Sequence, residues 1–471
     1  MAFRDLRAFC AHLEGRGRLH RVPTPVSAEL ELAEVAARAA GCGGPALLFE
    51  RVEGHAAPVL VGAFAGPERA AWALGAEELE GLTGRLEEVL GVARGGVAGG
   101  IGSRLRSLGE LAGMRAIAPR RVERGACQEV VEPRPALETL PAPRHWPGDG
   151  GRTIALPLLV SRDRAAGRRV VATGRLQIHD DATTSWPVRP APRERTPAAV
   201  VIGGDPTTIF AATAPLPTEL DPLLFAGFLR RAPVDVVRCR TIDLEVPAAA
   251  EYVLEGHVEP EQPRPAGPFG ERTGYYAPAA EAPTFRVSCV TRRRAPIYLD
   301  SLPGRQGDEL WLGKAAERLT LPFVRLMQPE VVDLNAPAEG SFRSVLLVSI
   351  RKQYPGQAQK VIAGLFGLMP TLLARAIVVV DHDVDVRDLA ACAWRTSANV
   401  DWRRDVMVLD GPLDPLDHAA PGVGVGAKIG IDATRKLDDE RHPREWPAEV
   451  EMSAEVRALV DRKWGSYGIP L

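Results

Sequence analysis

About two thirds of the way along this 471-residue chain the apolar pattern changes, and that change limits what the chain can fold into. From Ala126 to about Leu302 the apolar residues come in short runs broken by Pro and Gly. Helical spacing occurs there only over Leu220–Arg231 and around Ala198. Short strands in close succession predict a barrel-like antiparallel sheet. From Asp308 onward the pattern alternates: a helix over Asp308–Met327, a strand at Ser344–Ile350, a helix over Gln357–Leu368, a strand at Ala376–Val380, a helix near Asp388 and a strand at Val406–Leu409. Such alternation predicts an α/β domain with a largely covered sheet, joined to the β-rich part by the Asp308 helix.

The segment before Ala126 reads as a small α/β unit. Asp5 caps an amphipathic opening helix that Gly15 and Gly17 end. Glu29–Ala40 gives a second helix, Ala46–Phe49 and Pro58–Gly62 give strands, and Pro67–Leu90 reads as helix. Gly91–Gly102 is glycine-rich but lacks a strand-turn-helix context, so it reads as a flexible connection and not as a phosphate loop. The expected fold class is α/β (α+β). The expected units are 1–115, an N-terminal α/β segment; 116–305, a β-barrel domain; 306–330, a connector helix; and 331–471, a C-terminal α/β domain ending in a tail helix at about Ser453–Lys463.

Charge and cysteine usage narrow the function classes. With 58 basic and 60 acidic residues well mixed, the net charge is −2, and no basic field exists to attract nucleic acid or anionic lipid. No apolar run reaches membrane-spanning length, and the first residues lack the layout of a signal peptide, so a cytoplasmic protein is expected. The six cysteines show no Cys-x-x-Cys spacing and suggest neither a zinc site nor a disulfide framework.

Two stretches carry chemistry. Pro265-Ala-Gly-Pro-Phe-Gly-Glu-Arg-Thr-Gly-Tyr-Tyr276 is a Gly/Pro-rich turn presenting one carboxylate, Glu271, and Thr173-Gly-Arg-Leu-Gln-Ile-His179 offers the matching cation, Arg175. On the residues alone, an Arg and a Glu so far apart in sequence are more often a structural ion pair than a catalytic one. His179 lies four residues beyond Arg175, on the same face of an alternating strand. It is a candidate acid or base, against the commoner reading of a hydrogen-bonded structural histidine.

These two stretches resemble segments of the UbiD family of reversible decarboxylases, which use prenylated FMN. So do Leu140–Asp149, Val201–Pro206, Val246–Gly256, Gly313–Arg318 and Gly426–Lys436, in family order, so the resemblance runs from about Asp5 to about Lys436. It implies a split barrel that holds the flavin and a C-terminal domain that mediates oligomerisation, with the tail helix on a partner subunit of a homodimer or higher homo-oligomer. It further implies that Arg175 orients the carboxylate of a small carboxylic acid and that Glu271 delivers the proton. Loss of CO2 leaves a carbanion, so an electron sink and a nearby acid are the minimal equipment. Arg175, Gln177, Arg189, Arg193 and Lys360 become the cofactor-binding candidates, with Arg195 beside them. His418 and Asp432 are expected to fix loops near the domain junction, and residues from Trp394 to Trp402 to line the pocket.

The chain also departs from the family pattern. A second glutamate usual five residues before Glu271 is Ala266, which reduces a Glu-Arg-Glu network to Arg and Glu. The family's Asn, His and Glu metal ligands fall at Val170, within Pro187–Arg193 (which has no His), and at Pro222. No metal site of the family type is therefore expected, and Arg189, Arg193 and Arg195 are candidates to meet the flavin phosphate in place of the metal. The leading expectation is a prenylated-FMN-dependent (de)carboxylase of an aromatic or α,β-unsaturated acid. Two alternatives stand beside it: a divergent enzyme that has lost metal and flavin and works on another metabolite, or a non-catalytic subunit of an active homologue.

Overall fold

The computed structural model describes residues 3–87, 116–163, 167–188, 190–217, 219–305, 307–340, 343–368, 371–440, 442 and 444–469. The glycine-rich connection at 91–102 lies outside them, as does Arg189.

The opening helix forms where its cap predicts. Asp5 accepts a hydrogen bond from the Ala8 N–H at 2.9 Å, and Leu6, Phe9, Cys10 and Leu13 of helix Leu6–Gly15 are buried. Strands Leu19–Val22, Ala46–Phe49 and Val59–Val61 form a sheet whose fourth strand, Tyr298–Leu299, comes from far along the chain and pairs in parallel with Val59–Leu60. The helix predicted over Pro67–Leu90 is broken in two: it stops at Ala73, Gly75 turns the chain at φ 69°, and helix resumes over residues 80–87.

The β-rich part folds as predicted into one curled antiparallel sheet of nine strands. Thr153–Ile154, Leu176–Asp180, Thr183–Ser185, Ala280–Arg292, Tyr252–Ala266, Thr196–Ile202, Leu158–Asp163 and Arg168–Ala172 lie in that order, with Val130–Glu132 paired to Ala280–Arg292. The segment around Ala198, a helical exception by sequence, is a strand. Its residues alternate between two cores: Ala198, Val200 and Ile202 enter one, Ala199 and Val201 the other. A strand buried on both faces is apolar throughout and shows no period of two, which is why its sequence does not distinguish it from a buried helix. Helix Pro222–Arg230, capped by Asp221, confirms the other exception.

Helix Asp308–Met327 has the predicted bounds. After it comes a five-stranded sheet in the order Val331–Asn335, Val345–Ile350, Ala376–Asp381, Val425–Asp432, Val406–Pro412, parallel at its centre. Helices Gln357–Phe366 and Leu389–Asn399 cover it, and Asp388 caps the second. Tail helix Ala454–Lys463, capped by Ser453, buries none of its residues. Among the described residues no helix is long and apolar enough to cross a membrane.

Candidate active site

The turn carrying Glu271 is built by backbone demands. At the end of strand Tyr252–Ala266, Gly267 adopts φ 90°, which a side chain would resist. Gly270 lies so close to Trp146 that an added Cβ would stand 2.2 Å from its Cδ1. A small hairpin, Phe269–Gly270 against Tyr276–Ala277, then projects Glu271 at its tip.

Neighbouring loops hold this hairpin by hydrogen bonds to its backbone. Asp149 Oδ1 accepts from the Gly270 N–H at 2.8 Å and Oδ2 from the Trp146 N–H at 2.9 Å. Gln177 spans the same gap with both ends of its amide. Its Oε1 accepts from the Gly267 N–H at 2.7 Å and its Nε2 donates to the Gly150 carbonyl at 3.0 Å. Tyr276 OH accepts from the Gly148 N–H at 3.0 Å.

Arg175 and Glu271, 96 positions apart in sequence, meet across this hairpin, with Nη2 3.3 Å from Oε2. Arg175 also donates to the Gly270 carbonyl and, at 3.1 Å, to Glu309 Oε1. The sequence predicted that Ala266 would strip Arg175 of one carboxylate. The structure corrects this, because Glu309 in the first turn of the connector helix supplies a second one, so a Glu-Arg-Glu set is present. Glu309 was missed because an acid in the first turn of a helix ordinarily reads as a partner of the helix dipole.

The three groups carry different proton affinities. Burial, together with Glu309, raises Glu271 above the usual carboxylate range, against the opposing pull of Arg175. Burial acts on Glu309 in the same direction, but Arg175 and Arg272 outweigh it and hold it low. Arg175, although buried, is kept cationic by Glu309 and Glu271. The two carboxyls beside this one cation are thus driven apart, Glu271 toward holding its proton more tightly and Glu309 toward the anion.

A cavity of about 420 Å³ opens at Glu271 and Gly270, walled by Trp146, Tyr275, Tyr276 and Leu302. Its size and apolar walls lie within the range of small-molecule sites.

Other sequence candidates fall elsewhere. Lys360 donates to Glu330 at 2.5 Å, beyond the far end of the connector helix from Glu309. That helix has 20 residues and so spans about 30 Å, which means the fold does not bring Lys360 to Arg175. Arg193 is exposed, and Arg195 turns toward Glu259 at 3.9 Å. His179 faces Arg264 and not Glu271; burial lowers its proton affinity, and its Nε2 has no hydrogen-bond partner among the described residues. Trp394 and Trp402 are exposed and line none of this cavity. His418 stacks on Tyr275 at 4.0 Å between ring centroids, at the domain junction as expected, while Asp432 is buried with Lys436 at 3.1 Å inside the C-terminal domain.

Three family profiles match the chain in succession. They are those of the 3-octaprenyl-4-hydroxybenzoate carboxy-lyase N-terminal domain (residues 10–88), Rift-related domain (120–306) and C-terminal domain (310–433). An uncharacterized protein of Archaeoglobus fulgidus is 40% identical over 98% of both chains. Among solved structures, the UbiD-class enzyme HmfF from Pelotomaculum thermopropionicum, in complex with FMN, is 32% identical with TM-score 0.79, covering 94% of this chain and 97% of its own. Vanillic acid decarboxylase from Sedimentibacter hydroxybenzoicus in closed form is 25% identical with TM-score 0.84 over 99% of both chains. With all three domains matched in order on this fold, the chain belongs to the UbiD family of carboxy-lyases.

Proposed function

We propose that the protein is a prenylated-FMN-dependent (de)carboxylase of an aromatic or α,β-unsaturated carboxylic acid. The observation that carries this reading is the 3.3 Å approach of Arg175 to Glu271, a largely buried carboxyl whose proton affinity burial raises, at the edge of a ligand-sized cavity. The FMN complex of HmfF supports a flavin here. The cavity's largely apolar walls, with Arg305 among them, fit a planar ring system, while Arg175 reaches it through Glu271 and Gln177 stands behind the turn that carries Glu271. The donor set does not fit a hard cation at the family position, since Val170 and Pro222 offer only hydrocarbon. The orphan phosphate is assigned to the arginines of 189–195, and Lys360 remains a candidate only if a second subunit brings it near.

When bound, the flavin supplies the electron sink for the carbanion left by CO2. Arg175 grips the substrate carboxylate: a guanidinium has five N–H donors, and Gly270, Glu271 and Glu309 engage at most three. Glu309 stays ionised and holds Arg175 in place. Glu271 then delivers its proton to the carbon that has lost CO2, and in the carboxylation direction takes it back. Asp149 and Gln177, acting on backbone, keep Glu271 in reach.

The exposed apolar side chains of the tail, Val456, Leu459, Trp464 and Tyr467, support a homo-oligomer in which the tail helix packs on a partner. A soluble cytoplasmic enzyme is consistent with the sequence. Loading the purified protein with prenylated FMN and assaying CO2 release and solvent-deuterium incorporation over a panel of aromatic and unsaturated acids tests the reading. Absence of both from every acid would overturn it.

A further inference from the structure

The hairpin that carries Glu271 is gripped from a second side, by the C-terminal domain. Arg272, the next residue, ion-pairs with Asp414 in the loop between strands Val406–Pro412 and Val425–Asp432. Tyr275 stacks its ring on His418 of the same loop. Both partners of the ion pair are largely buried, 17% and 13% exposed. A charge-assisted pair withdrawn from water binds more firmly than a surface one, because less of its attraction is screened. Arg343, at φ 88° on another loop of the C-terminal domain, adds a third guanidinium within the field of Arg272, Asp414 and Glu309.

We infer that Asp414 is a positioning residue that, by pairing with Arg272, fastens the C-terminal domain over the Glu271 hairpin and masks the guanidinium adjacent to that carboxyl. The fastening half rests on geometry alone, and the masking half rests also on the proposed role of Glu271. Besides burial, the charged groups acting on Glu271 are Arg175 from the barrel, Glu309 from the connector helix, Arg272 from its own turn and Asp414 from the C-terminal loop. Arg272 favours the ionised carboxylate and Asp414 opposes it. Neutralising Asp414 unmasks Arg272, so Glu271 gives up its proton at lower pH. Neutralising Arg272 leaves Asp414 unopposed, so Glu271 keeps its proton to higher pH.

Two full-length variants, Asp414→Asn and Arg272→Gln, test this by hydrogen–deuterium exchange of the 268–278 segment, with strand Val345–Ile350 as the internal control for folding. Each is expected to exchange about tenfold faster in that segment, as loss of a charge-assisted bond predicts. The charge-swapped double variant Arg272→Asp/Asp414→Arg is expected to recover protection. Unchanged exchange in both single variants, or no recovery in the double, overturns the fastening. In the decarboxylation assay, the high-pH limb of the rate profile is expected to move down in Asp414→Asn and up in Arg272→Gln. A merely structural contact would move both the same way, and that result overturns the masking. If no acid is turned over, the proposed reaction fails, and the exchange experiment still decides the fastening.

Discussion

Replacing the Glu271 carboxyl by an amide keeps the size of the side chain and removes its transferable proton. Glu271→Gln is expected to lower the decarboxylation rate by about 10²-fold or more, the usual worth of a positioned acid, with little change in thermal stability. In the native enzyme the rate is expected to fall as pH rises through the raised pKa of Glu271, because the donor is then lost. A pH–rate profile with no fall on its alkaline side would contradict this. Asp308 offers a second prediction. It accepts from the Phe64 N–H at 2.7 Å, and burial pushes it up to about 6 from an ordinary 3.8. The folded state therefore binds the extra proton, and the stability it contributes is full below pH 4 and is lost as pH rises through 6. That loss is on the order of 3 kcal/mol at pH 7, at 1.36 kcal/mol per unit. Asp308→Asn keeps the acceptor without the charge, so it is expected to raise Tm at pH 8 and to leave it nearly unchanged at about pH 3, below both pKa values. Equal effects at the two pH values would refute the assignment. Arg175 and Glu271 were singled out by the resemblance of their segments to those of the family, since on the residues alone an Arg and a Glu so far apart read as a structural pair. Glu309 and Asp149 were not, since their significance lies in which distant backbone or cation they reach.

At the scale of elements, the hairpin of Phe269–Gly270 and Tyr276–Ala277 has only two paired positions and relies on its neighbours. Asp149→Ala removes the acceptor for two N–H groups, Gly270 and Trp146. It is expected to destabilise by roughly 1–3 kcal/mol for each buried donor left unsatisfied, and to depress turnover by misplacing Glu271. Calorimetry and kinetics on the same preparation check both halves. Long helices and capped termini were readable: Asp5, Asp221, Asp388 and Ser453 all stand where their side chains bond the first turn. Strand Thr196–Ile202 was misread because burial on both faces erases the alternation that marks a strand. The helix read over Pro67–Leu90 was taken as continuous because nothing in an Ala- and Leu-rich run announces that Gly75 will take a left-handed turn between its two parts.

Taken as a whole, the molecule keeps its four hydrophobic clusters independent of its last residues, since none includes a residue beyond Ala433. No residue of helix Ala454–Lys463 is buried, yet Trp464 and Tyr467 beyond it stay partly uncovered as well. Truncation after Met452 is expected to leave Tm within a few degrees of the full chain while lowering the assembly state measured by light scattering. An unchanged mass would show that the tail serves no subunit contact. The change near Asp308 from short strands to alternating strands and helices was legible, but the strand that crosses back to the first sheet was not, since a two-residue strand has no periodicity to read. Tyr298–Leu299 completes the sheet begun by Leu19–Val22. On the ribosome, therefore, the first α/β unit emerges long before the strand that closes its edge and must wait with that edge bare until nearly 300 residues have been made. A nascent chain halted earlier would present an open β-edge to its neighbours, the kind of edge that templates pairing with another chain.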